Sequence, residues 1–171
     1  MKQSGILLAG KKLLISIILI TGSLYANSYD DGLIAYSNGD KTKAVELWTK
    51  SCDGGNMESC SGLGVSYSEG DGVKKDTKKA MELYEKACDA GYMDGCSSLG
   101  VLYGEGKGVQ QDAQKAFELY KKACDSGNGN GCYNLGVAYS YGEGVKKDDQ
   151  KALILYKKAC KGGNISSCYK L

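Results

Sequence analysis

Eight cysteines are the side chains of this chain with the most chemistry open to them: metal ligation or nucleophilic attack as thiolates, cross-linking as disulfides. They form two combs of 36-residue spacing, Cys52, Cys88, Cys124, Cys160 and Cys60, Cys96, Cys132, Cys168, with seven residues inside each pair. Zinc fits this pattern poorly, because there is no C-x-x-C and no histidine, and each pair offers two ligands where a site takes four. A serine nucleophile needs a base, as in S-x-x-K, and Ser167 to Lys170 is such a match, without S-D-N or K-T-G partners. G-x-S-x-G is absent, and Gly104 to Gly108, which has the look of a phosphate loop, has counterparts in the other repeats that read as inter-helix turns. No catalytic residue, metal or cofactor is assigned.

The elements that position these groups repeat with the cysteines. At the same spacing stand Ala44, Ala80, Ala116, Ala152; Leu47, Leu83, Leu119, Leu155; Trp48, Tyr84, Tyr120, Tyr156; and Leu63, Leu99, Leu135, Leu171. Such a period marks a repeat array. Ala80, Leu83, Tyr84, Ala87 and Cys88 make the apolar stripe of a first type of helix. Asp76, Asp112 and Asp148 are placed to cap these helices, Gly91 and Gly127 to end them. Glu46 with Lys50, Glu82 with Lys86 and Glu118 with Lys122 are expected to pair at i, i+4 on the outward face, for roughly 0.3 kcal/mol each. A second type runs from about Met93 to Gly104, with Cys96, Leu99, Gly100 and Tyr103 on its stripe. Glycine inside a helix costs about 1 kcal/mol, so Gly64, Gly100 and Gly136 predict a close helix approach. Each unit is a helical hairpin that must stack on its neighbours, giving an all-α solenoid over 40–171, with repeats at about 57–92, 93–128, 129–164 and a partial one at 165–171.

Lys11 and Lys12, the apolar run Leu13 to Ile20 and the small residues up to Ala26 read as a signal peptide over 1–26, with residues 27–39 a capping helix. Cleavage removes Lys2, Lys11 and Lys12, leaving 19 basic against 20 acidic residues, so nothing steers the chain to nucleic acid. A secreted or periplasmic protein with no membrane segment after cleavage is expected, and in that setting regularly spaced cysteines form disulfides. Of 105 possible connectivities, the repeat makes local pairing simplest: Cys52–Cys60, Cys88–Cys96, Cys124–Cys132 and Cys160–Cys168. The chain must reverse inside each pair, since residues i and i+8 of one helix lie about 12 Å apart.

The L-G-x-x-Y helix, G-x-G-V turn and A-x-x-L-Y-x-K-A helix resemble the Sel1-like repeat, a relative of the tetratricopeptide repeat. With the added cysteine pair they resemble the Helicobacter cysteine-rich proteins. That resemblance implies a binding scaffold and, for that family, penicillin binding with weak β-lactam hydrolysis, an activity for which no motif stands in the chain. Similarity to tetratricopeptide arrays implies a concave stripe of ligand-binding residues. Asp94, Ser97, Val101 and Glu105 of one repeat and Asn130, Tyr133, Ser140 and Tyr141 of the next lie on it. Variation along this stripe suits a recognition surface and equally suits drift at exposed positions. The implied ligands are an extended peptide, a muropeptide-like molecule or a β-lactam, and the implied partners a host or envelope protein.

Overall fold

The computed structural model describes residues 29–170; the predicted signal peptide, the first two residues of the predicted capping helix and Leu171 lie outside them. Among the described residues there are nine helices and no strand. A helix over 29–37 (α1) is followed by α2 (Lys41–Asp53), α3 (Met57–Glu69), α4 (Thr77–Asp89), α5 (Met93–Glu105), α6 (Ala113–Asp125), α7 (Gly129–Tyr141), α8 (Asp149–Lys161) and α9 (Ile165–Cys168). The even-numbered helices are the first type. Asp40, Asp76, Asp112 and Asp148 each accept a bond from the backbone N–H three residues on, satisfying one of the donors a helix start leaves open. Asn56, Asn128 and Asn164 do the same for α3, α7 and α9, whereas Tyr92 at the start of α5 makes no such bond.

The chain reverses between the two cysteines of each pair. Four disulfides result, Cys52–Cys60, Cys88–Cys96, Cys124–Cys132 and Cys160–Cys168, with Cα atoms 4.7, 4.5, 4.3 and 4.9 Å apart. Closing a nine-residue loop contributes roughly 2.6 kcal/mol per bridge if the effect is chiefly on the unfolded chain. The first three bridges are core material, covered by Ala87, Ala123 and Ala159 of the next first-type helix.

Stacking continues through the second-type helices. A Cβ on Gly64, Gly100 or Gly136 would come within 2.6, 2.6 and 2.7 Å of the rings of Tyr84, Tyr120 and Tyr156, so absence of a side chain is what lets α3, α5 and α7 close on the following helix. Helix α1 takes the same place one step earlier, with Gly32 against the Trp48 ring. Gly32 stands eight positions before Asp40 where Gly64 stands twelve before Asp76, so α1 is a second-type helix joined by a connection four residues shorter.

The expected Glu–Lys pairs are not how the lysines are used. Glu46 pairs with Lys43 at 3.0 Å rather than with Lys50. Lys86, Lys122 and Lys158, the last without a glutamate four residues back, donate to the carbonyls of Cys52, Cys88 and Cys124 at 3.2, 3.5 and 2.7 Å. Each ammonium therefore meets the negative end of the first-type helix one repeat back, which outweighs a solvent-exposed ion pair.

Candidate functional site

Helices α5 and α7 touch across their repeats, and with α9 they enclose a cleft of about 220 Å³. Asp94, Ser97, Ser98 and Val101 come from α5; Asn130, Tyr133 and Asn134 from α7; Asn164 from the start of α9. Helical spacing explains the set, because positions 94, 97, 98 and 101 and positions 130, 133 and 134 each share one face.

Hydrogen bonds tie neighbouring repeats together along the floor. The Asp94 carboxylate accepts from Asn128 and Asn130, both at 3.0 Å. Asn164 donates to the Asn130 side-chain oxygen at 2.8 Å, and Asn134 donates to the Ser97 hydroxyl at 3.1 Å. Ser97 lies buried beneath that bond. The Tyr133 and Tyr156 rings stand 5.8 Å apart, with the Lys170 ammonium 5.7 and 5.5 Å from their centres. Beside Asp94, burial and the neighbouring Asp94 and Glu58 charges push the Tyr92 phenol up, and burial with Asp30 and Asp94 pushes the Glu58 carboxyl up.

Of the residues on the anticipated stripe, Asp94, Ser97, Val101, Asn130 and Tyr133 meet in this cleft. Glu105, Ser140 and Tyr141 do not. Glu105 is paired with Lys107 at 2.7 Å, Ser140 shares a hydrogen bond with the Tyr156 hydroxyl at 3.1 Å, and Tyr141 stands in solvent at 71 % exposure. They sit a turn or more beyond the cleft, at the far ends of α5 and α7. Ser98, Asn134 and Asn164 escaped the sequence reading. The first two follow stripe positions by one residue, and Asn164 shares its type and place with the caps Asn56 and Asn128, a signal that was present.

Ser167 does not join Lys170 as a nucleophile and base. Its hydroxyl is buried and donates to the Asn164 carbonyl at 2.6 Å, while the lysine turns to the tyrosine rings. All eight sulfurs are in disulfides, so none is a thiolate ligand. Among the described residues no helix is long and apolar enough to cross a membrane.

A repeat of about this length is also what the comparison with protein families finds, with the Sel1 repeat model matching at 23–56, 58–92, 94–128 and 129–164. The chain belongs to the Sel1 repeat family. Its first match takes in α1, in keeping with that helix's second-type packing. Among solved Sel1-type structures, a protective antigen of uropathogenic Escherichia coli is 28% identical, with TM-score 0.71, over 86% of this chain and 32% of its own. A Sel1 repeat protein from Oxalobacter formigenes is 27% identical, with TM-score 0.72, over 84% of this chain and 60% of its own. This chain thus spans about a third and three-fifths of those two. Cysteine-rich protein B of Helicobacter pylori is 33% identical, with TM-score 0.62, over 78% of this chain and 96% of its own. No curated protein matches the chain. The Sel1 repeat is a protein-interaction module, and the disulfides and the likeness to the Helicobacter protein fit a place outside the cytoplasm.

Proposed function

We propose that the chain is an extracytoplasmic scaffold that holds an extended peptide in the cleft between α5, α7 and α9. The observation that carries this reading is the row of amides, Asn130, Asn134 and Asn164, beside Ser98 and Tyr133. Each amide has two donor hydrogens and an accepting oxygen, so a group used toward its neighbour still leaves capacity for a peptide N–H or C=O. Val101 and the Tyr133 ring supply apolar contact. The network already fixes the amides, which lowers the ordering cost of binding.

Size argues for a chain passing through. Clefts that enclose a drug-sized molecule run from roughly 300 to 1,000 Å³, above the 220 Å³ here. A segment of a host or envelope protein, or the peptide stem of a muropeptide-like molecule, suits this better than an engulfed ligand. A β-lactam would enter as a peptide mimic, and Ser167, committed to Asn164, offers it no activated nucleophile.

Selection of random decapeptides on the oxidised protein tests the reading. Retained peptides should lose about tenfold or more in affinity on Tyr133→Ala and on Asn134→Ala and little on Tyr141→Ala, as expected for central contacts against a peripheral one. Peptides indifferent to the first two substitutions would sink it.

A further inference from the structure

The repeats serve as controls for one another, and the segment joining each second-type helix to the next first-type helix shows what the fold requires there. It reads Val-Lys-Lys-Asp-Thr-Lys-Lys over 73–79, Val-Gln-Gln-Asp-Ala-Gln-Lys over 109–115 and Val-Lys-Lys-Asp-Asp-Gln-Lys over 145–151. Valine and aspartate are constant, and the aspartate is the helix cap. The closing lysine is constant too and has a structural place. Lys79, Lys115 and Lys151 lie 4.5, 4.1 and 5.3 Å from the ring centres of Tyr67, Tyr103 and Tyr139.

What varies is the remaining trio. Lys74, Lys75 and Lys78 in the first segment become Gln110, Gln111 and Gln114 in the second, where the same cap and turn form. The fold therefore does not require lysine at these positions. All three are exposed, and none takes part in an ion pair among the described residues. They surround a cleft of about 520 Å³ whose other walls are Tyr67, Val73, Asp76, Thr77 and Lys79. Its one carboxylate, Asp76, is occupied by the Lys79 N–H at 3.1 Å. In the third segment Lys147 is instead paired with Asp149 at 3.4 Å, at the position Thr77 holds in the first. Only the first segment gathers three unpaired ammonium groups, and their mutual repulsion is relieved by bound anions.

We propose that Lys74, Lys75 and Lys78 form a second binding site, separate from the peptide cleft, for a sulfated polysaccharide. Lysines on flexible stems are point charges suited to anions spaced along a flexible chain, and the protein has no arginine for bidentate contact with phosphates or base edges. Tyr67 is already covered by Lys79, so no free ring is offered for a base to stack upon. No large exposed apolar side chain lies in the 73–79 segment to enter a bilayer.

Anisotropy of a labelled heparin hexasaccharide with the full oxidised protein reads this directly. Binding should weaken with salt, and K74Q/K75Q/K78Q should reduce it about tenfold or more, since roughly one counterion is released per lysine engaged. That variant copies the second repeat, so its melting curve should match the parent's. The reciprocal variant Q110K/Q111K/Q114K should add a second site and about double the ligand bound at saturation. Parent-like binding by the glutamine variant, or no gain in the reciprocal one, would overturn the proposal. So would tighter binding of duplex DNA of matched charge or of phosphatidylglycerol vesicles. Retained peptide binding in the glutamine variant separates this site's failure from that of the peptide cleft.

Discussion

Single residues divide into those that hold repeats together and those free to meet a ligand. Gly100 belongs to the first set, because a methyl there would press 2.6 Å from the Tyr120 ring and 3.3 Å from the Ala116 carbonyl. Gly100→Ala should cost about 1–3 kcal/mol by overpacking, despite alanine's better helix propensity, and a denaturant titration would show it. The sequence carried that signal, since glycine recurring in a helix asks for a contact. It did not carry the destination of the lysines. A Glu–Lys spacing is local, whereas Lys122 reaches Cys88, and Lys158 likewise Cys124, whose nearness depends on stacking. Lys158→Ala should therefore destabilise by about 1 kcal/mol, while Glu118→Gln should change stability by less than about 0.5 kcal/mol. Equal losses in the two would mean that the carbonyl contact adds nothing.

Among the elements, α5 was legible to within a residue, and the starts of α4, α6 and α8 by their aspartate caps, because five signals coincide in each unit: apolar stripe, aspartate, cysteine, glycine and turn. Helix α1 was legible only as an irregular cap. Its four-residue shorter connection puts Gly32 out of phase with Gly64, so a fixed 36-residue ruler misses it. Its docking rests on different groups: the Trp48 indole donates to the Tyr29 carbonyl at 3.2 Å, and Asp71 accepts from Tyr36 at 2.5 Å and from Lys41 at 2.6 Å. Those two bonds hold the Asp71 carboxyl below its ordinary 3.8. The folded value is the lower one, so the stabilisation is present above pH 3.8 and is lost as pH falls through the depressed value. Trp48 is the only tryptophan, which makes its fluorescence a reporter for α1. Emission should shift red on acidification below that pH, and Asp71→Asn should remove this acid step. A pH-independent spectrum in the parent would refute the role given to Asp71.

At the scale of the whole molecule, contacts run from each hairpin to the next, so stability is a sum over units and their interfaces. The cleft is a product of that arrangement. Asp94, Asn130 and Asn164 come from three successive second-type helices, and no single repeat contains the site. That is why the stripe was visible in sequence only in part: face positions follow from periodicity, but where three helices converge depends on how they stack. Deleting residues 93–128 removes one full period, joins Tyr92 to Gly129 and keeps the register, since both junction residues stand at the start of a second-type helix. The shortened protein should fold with the same helical content per residue and melt cooperatively at a lower temperature, having lost one unit and one interface. It should also lose peptide binding about tenfold or more, because Asp94, Ser97 and Ser98 go with the deleted unit. Heparin binding through Lys74, Lys75 and Lys78 should survive, since that site lies within one connection. Loss of both activities with an intact fold would show that the two sites are one surface, and loss of the fold itself would refute the additive picture of the solenoid.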